Sequence, residues 1–149
     1  MKETHTVAQK DLGALAERVL YLLSQEKRDQ ASVILLEGDL GAGKTTFTQS
    51  LAEQLGVMEH VHSPTFILKK EYRTPHAEFR RVVHIDAYRF THPNEAKVLR
   101  LEEDLKDKET IVVIEWPSKM TYIQSDVRLD FSVLDDDTRE VTITYEKDI

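Results

Sequence analysis

The chain has 149 residues, 40% hydrophobic and 32% charged, a balance that suits one folded domain with its own core and is too apolar for a disordered segment. Lys plus Arg number 20 and Asp plus Glu 27, and the net charge of −7 argues against holding DNA or RNA through a broad basic face. Cysteine is absent, which excludes disulfides, zinc–thiolate centres and thiol nucleophiles and points to a reducing compartment.

The opening Met1-Lys2-Glu3-Thr4-His5-Thr6 lacks the apolar stretch of a signal peptide, and no run approaches the roughly 18 apolar residues of a membrane span. A soluble, cytoplasmic protein with no membrane partner is therefore expected. No repeat or linker divides residues 1–149, which read as a single domain. Thr6 and Gln9 have capping-box spacing and predict a helix start. Leu12, Leu15, Ala16, Val19, Leu22 and Leu23 then share one apolar helical face. Ser32 to Glu37 reads as a short strand buried on both faces, because Val33-Ile34-Leu35-Leu36 is apolar at both parities. A glycine-rich turn follows, and Thr45 to Leu55 predicts a second helix closed by Gly56.

Thr65 to Arg73 and Phe79 to Asp86 predict an antiparallel hairpin. Pro93 at a first helical position opens a helical stretch towards Leu105. Thr110 to Glu115 is a second buried strand. Arg128 to Leu134 and Arg139 to Tyr145 form another hairpin around Asp135-Asp136-Asp137-Thr138, a polar turn without the Gly and terminal Glu of a calcium loop.

Gly38-Asp39-Leu40-Gly41-Ala42-Gly43-Lys44-Thr45 matches G-x-x-x-x-G-K-[ST] in full, between a buried strand and a helix. Glycines let the backbone bend and bring its N–H groups close to phosphates, and the helix points its positive end at them. Gly41, Ala42, Gly43, Lys44, Thr45 and Thr46 are the candidate phosphate-binding residues. Lys44 would bridge the β- and γ-phosphates of ATP, and the Thr45 hydroxyl would hold Mg²⁺. The pattern as a whole predicts an α/β, P-loop NTPase-like three-layer fold with a mixed parallel and antiparallel central sheet.

Such a site needs a carboxylate at or near the metal, and two acids close apolar strands: Glu115 after Ile111-Val112-Val113-Ile114, and Asp86 after Val82-Val83-His84-Ile85. Glu115 is assigned with Thr45 to Mg²⁺. Asp86 is assigned to the attacking water, to orient or deprotonate it, or to a metal-bound water. Arg89 could reach a phosphate or pair with an acid. Ser63 and Thr65, around Pro64, lie where a γ-phosphate-sensing loop would sit. Trp116 either packs the sheet end or shapes the nucleotide pocket or a partner surface. Among the six histidines, His60 and His62 would share a face if extended, but no carboxylate-spaced set accompanies them. Lys69, Lys70, Arg73, Arg80 and Arg81 are the one local basic concentration, either a solvated face or a surface for an acidic partner or RNA.

The glycine loop, Ser63-Pro64-Thr65-Phe66, His84-Ile85-Asp86-Ala87-Tyr88-Arg89 and Ile114-Glu115-Trp116-Pro117 resemble, in order and spacing, the TsaE family of small P-loop ATPases of bacterial tRNA threonylcarbamoyladenosine (t6A) synthesis. The resemblance covers nearly the whole chain. It implies ATP hydrolysis with Mg²⁺ while bound to the TsaB- and TsaD-type assembly that transfers threonylcarbamoyl to adenosine 37 of tRNAs reading ANN codons. The ATPase would support turnover of that assembly and meet tRNA indirectly. It also implies that Thr45 and Glu115 are metal-side, and that Gln9, in the Thr6–Gln9 segment, borders the adenine. Ala87 stands where the family usually has Leu, which bears on packing more than on chemistry. Two rivals stay open at this level: a stand-alone small-molecule kinase and a non-catalytic nucleotide-binding regulator. Without an assured arginine finger, weak activity alone and stimulation by partners are expected.

Overall fold

Val33-Ile34-Leu35-Leu36 and Ile111-Val112-Val113-Ile114 form the middles of β2 (Ser32–Glu37) and β5 (Thr110–Glu115), which pair in parallel. The structure is a computed structural model that describes residues 1–26, 28–39, 41–61, 69–87, 100–116 and 123–145. β4 (Arg81–Asp86) runs parallel to β5, and β3 (Lys69–Arg73) adds antiparallel at that edge. On the other side, β6 (Val127–Val133) lies parallel to β2, followed by antiparallel β7 (Thr138–Tyr145) and β1 (Lys2–Ala8). The order is β1-β7-β6-β2-β5-β4-β3.

The apolar runs at both parities have a direct cause: the central strands are covered on both faces. Ile34 and Leu36 pack with α1 (Leu12–Ser24) and α2 (Lys44–Gln54) through Leu12, Leu15, Val19, Phe47 and Leu51. Val33 and Leu35 face the opposite layer, where Leu101 of α3 (Leu101–Leu105) packs with Val83, Ile85 and Ile114. This is the three-layer mixed α/β architecture expected from the sequence. Burying one such large apolar side chain stabilises by roughly 1.5–3 kcal/mol, so these layers fix where the helices begin. Phe47 meets Phe131 of β6 edge-to-face at 6.2 Å, which seats the first turn of α2 beside the glycine turn.

Two expectations are corrected. Thr6 does not cap a helix: it lies in β1 opposite Glu140, and the helical chain starts after Ala8 with a 3-10 turn, Gln9–Asp11, that has no side-chain cap. β1 alternates exposed Lys2, Thr4 and Thr6 with half-buried Glu3, His5 and Val7. Its period of two is carried by polar residues at a sheet edge and so gives little hydrophobic signal. The stretch towards Leu105 is also not one continuous helix. Arg100 adopts a left-handed conformation (φ 57°) and stands at the N-cap of α3. Pro93 lies outside the described residues. Among the described residues, no helix is long and apolar enough to cross a membrane.

Candidate functional site

The glycine turn leaves the carboxyl end of β2 and enters α2 at Lys44. Its glycines serve different needs. A Cβ at Gly38 (φ 150°) would lie 2.8 Å from the Phe131 carbonyl oxygen, so close backbone approach requires glycine there. At Gly41 (φ 79°) a Cβ would meet nothing within 4 Å, which marks the open side of the turn. Gly43, the N-cap of α2, is left-handed at φ 108°. The turn therefore leaves open space at its tip next to first-turn N–H groups that have no partner within the helix. That is the shape and polarity an anion needs.

Lys44 is 4% exposed, and its ammonium donates to the Gly38 carbonyl oxygen. It sits 3.5 Å from the ring centroid of Trp116. Burial pushes the Lys44 ammonium below the usual lysine range, opposed by the nearby Glu115, Glu37, Asp86 and Asp39 carboxylates. Burial likewise raises the Glu37 carboxyl against the pull of Arg128 and Lys44. Trp116 is held in a left-handed conformation (φ 61°), and its backbone N–H donates to the Leu36 carbonyl oxygen at 3.0 Å.

Asp86 and Glu115 end adjacent parallel strands and are 4% and 3% exposed. The Thr45 hydroxyl lies 3.4 Å from Glu115 Oε1, and His84 Nε2 lies 2.7 Å from Glu115 Oε2. The fold thus brings Lys44, Thr45, Asp86, Glu115 and Trp116 to one rim, where the carboxyl ends of β2, β5 and β4 meet the start of α2. Thr46, half-buried, is in the same helical turn as Thr45. Gln9 reaches the glycine turn through Arg139, whose Nη2 donates to both Gln9 Oε1 and the Gly41 carbonyl oxygen at 3.3 Å. Ser63, Thr65 and Arg89 lie outside the described residues.

Sequence reasoning gave no role to Arg139 or to His84, although His84 stands in one of the motifs that carry the family resemblance. His84 carried a usable signal: it stands two residues before Asp86, so the two share a face of one strand. Arg139 carried none, since nothing local places β7 beside the turn. Ala87 is fully buried in the layer around Leu101, so its departure from Leu falls within apolar packing. The basic cluster is largely neutralised: Lys69 and Arg81 each approach Asp104 at 2.6 Å, and Arg80 meets Glu109.

Among the described residues, no three His, Asp or Glu side chains form a metal-holding group. Mg²⁺ is commonly held through one or two carboxylates with phosphates and waters, without a cage made wholly of protein. The hydroxyl of Thr45 and the carboxylate of Glu115 are hard oxygen donors that fit this demand. Two clefts, of about 540 and 480 Å³, open near Arg28 at the opposite ends of the strands and share no residue with this rim.

Fold and site define the class: a P-loop α/β protein with a phosphate-type turn, a lysine and paired strand-end acids. The chain belongs to the TsaE family, whose profile, described as threonylcarbamoyl adenosine biosynthesis protein TsaE, matches residues 6–142. The tRNA threonylcarbamoyladenosine biosynthesis protein TsaE of a Nostoc species is 40% identical over 132 residues, spanning 84% of this chain and 77% of that protein. The protein of that name from Aquifex aeolicus is 34% identical over 149 residues, spanning 99% and 98%. The crystal structure of Bacillus subtilis YdiB superposes with a TM-score of 0.71 at 28% identity, covering 97% of this chain and 86% of that one.

Proposed function

We propose that this chain is the ATP-hydrolysing component of t6A formation at adenosine 37 of tRNAs that read ANN codons. It acts in the cytoplasm on an assembly of TsaB- and TsaD-type proteins, supports the turnover of that assembly, and meets tRNA only through it. Membership of the TsaE family supports the pathway. The observation that carries the chemistry is the meeting of Lys44, Thr45, Asp86 and Glu115 at the rim of the glycine turn.

Charge supports a metal-accompanied nucleotide. Glu115, Glu37, Asp86 and Asp39 all act on the one ammonium of Lys44. Carboxylates crowded around that ammonium favour a polyphosphate arriving with a divalent cation over a bare one. Gly41, Ala42, Gly43, Lys44, Thr45 and Thr46 would cradle the phosphates, with Gln9 on the adenine side. The Lys44 ammonium would exchange the Gly38 carbonyl for phosphate oxygens. Thr45 and Glu115 would hold Mg²⁺, which when bound neutralises charge on the β- and γ-phosphate oxygens.

Asp86 would orient the attacking water and accept its proton as the water oxygen bonds the γ-phosphorus and ADP leaves. Ser63, Thr65, Arg89 and Trp116 are the candidates for coupling this step to partners. The test is to purify the chain with TsaB- and TsaD-type partners and follow phosphate release, with γ-labelled ATP to identify the acceptor. Release to water, faster with partners than without, is the expected result. Transfer of the label to a nucleoside or metabolite would establish a kinase instead, and equal rates with and without partners would overturn the partner-dependent reading.

A further inference from the structure

His84 is the one imidazole among the described residues with 0% exposure, and it stands in a strand whose other central positions are Val82, Val83 and Ile85. Its Nε2 is 2.7 Å from Glu115 Oε2, while the other oxygen of that carboxylate faces the Thr45 hydroxyl at 3.4 Å. An ionised carboxylate only accepts hydrogen bonds, so Nε2 carries the hydrogen. The opposite ring nitrogen, Nδ1, is buried and has no hydrogen-bond partner among the described residues. A buried unsatisfied polar atom is destabilising, a penalty that valine or leucine at this position would not carry. The imidazole is therefore poorly explained as core filling, and among the described residues its polar bond is to Glu115.

We propose that His84 is a positioning residue for Glu115. Its Nε2–H holds one carboxylate oxygen and so sets the rotation that presents the other oxygen, beside Thr45, to the divalent ion that accompanies the nucleotide. The inference rests on the reading of Thr45 and Glu115 as the metal-side pair. Its physical basis is general: a side chain bonded to a metal-binding carboxylate restricts its orientation, and loss of such a partner typically weakens metal affinity 10–100-fold. His84 touches neither phosphate nor metal in this scheme and acts only through Glu115.

The test uses ADP, which is not hydrolysed, and the full chain. ADP binding is followed by calorimetry in excess chelator and across a Mg²⁺ series, for the wild type and for His84→Leu, His84→Gln and His84→Asn. His84→Leu is expected to raise the Mg²⁺ needed for half-maximal enhancement about tenfold or more while ADP affinity in chelator stays within about twofold. Gln can offer an N–H donor near the position of Nε2 and is expected to restore most of the Mg²⁺ response. Asn, whose amide ends one carbon short, is not. An equal loss of ADP affinity with and without Mg²⁺, an unchanged Mg²⁺ response in His84→Leu, or indistinguishable Gln and Asn variants would overturn the inference. If His84→Leu does not fold, as judged by thermal melting, the Gln and Asn pair decides alone. A wild type whose ADP binding ignores Mg²⁺ would overturn the metal-side reading together with the inference that rests on it, and so separates the two failures.

Discussion

Asp86 and Glu115 lie directly opposite each other at the last positions of two adjacent parallel strands, both almost fully buried. The pairing places two acids side by side at the end of the sheet where the glycine turn begins. Glu115 is held from both sides by His84 and Thr45. That hold on Glu115 suits the metal-side task proposed for it.

Asp86→Asn is expected to lower ATP turnover in the presence of partners on the order of 100-fold while nucleotide affinity changes little, because a preorganised group acting on the reacting water is lost. Phosphate release and ADP calorimetry on the same preparation check both halves. Wild-type turnover in the Asn variant would remove Asp86 from the chemistry.

The glycines of the turn should differ in their tolerance of alanine. Gly38→Ala drives a methyl group into the Phe131 backbone, which cannot yield as a side-chain tip can, and should cost about 2–4 kcal/mol or prevent folding. Gly41→Ala meets open space and pays only for left-handed backbone, about 1–2 kcal/mol. Urea denaturation midpoints give the ranking, and equal losses would contradict the geometry.

Stability should fall in mild acid partly through Glu3. The Arg18 guanidinium forks onto both of its carboxyl oxygens at 3.2 Å from Nε, with His5 and Tyr145 adding further bonds, and holds the Glu3 carboxyl down at about 2 from an ordinary 4.5. A depressed folded-state value means that the contribution is complete above pH 4.5 and is lost as pH falls towards 2. Because Arg18 is partly exposed, we expect only about 1 kcal/mol. Glu3→Gln should therefore be less stable than wild type at neutral pH, with the gap closing on acidification. A gap independent of pH would show that the ion pair is not its source.

Asp104 ties α3 to the β3–β4 edge by meeting Lys69 and Arg81, each at 2.6 Å, and is 3% exposed. Asp104→Ala removes the nearer and more buried of the two acids that Lys69 and Arg81 share, leaving the more distant Glu71 at 3.6 and 3.4 Å, and should cost about 2–3 kcal/mol. Adding Arg81→Met should recover part of that loss in the double variant, measured by denaturant unfolding. Strictly additive losses would show that Asp104 and Arg81 are not coupled.

The glycine turn, the two central strands, α2 and both hairpins were legible in the sequence because their signals are local. An eight-residue motif and four-residue apolar runs carry their meaning within a few residues, and the covering of both sheet faces follows from apolarity at both parities. β1 escaped because its alternation is written in Lys, Glu, Thr and His, where hydrophobic periodicity has nothing to register. The break at Arg100 escaped because a left-handed non-glycine residue leaves no compositional mark.

By itself the sequence determined the glycine turn between strand and helix, since such a turn is built from contiguous residues whose backbone freedom and charge are their own. Only the tertiary structure decided which groups close around it. His84 lies 31 residues from Glu115, and Arg139 lies 98 from Gly41. Such partners meet only once strand order and register are set. Those depend on the summed burial of many distant side chains, which no local pattern of residues records.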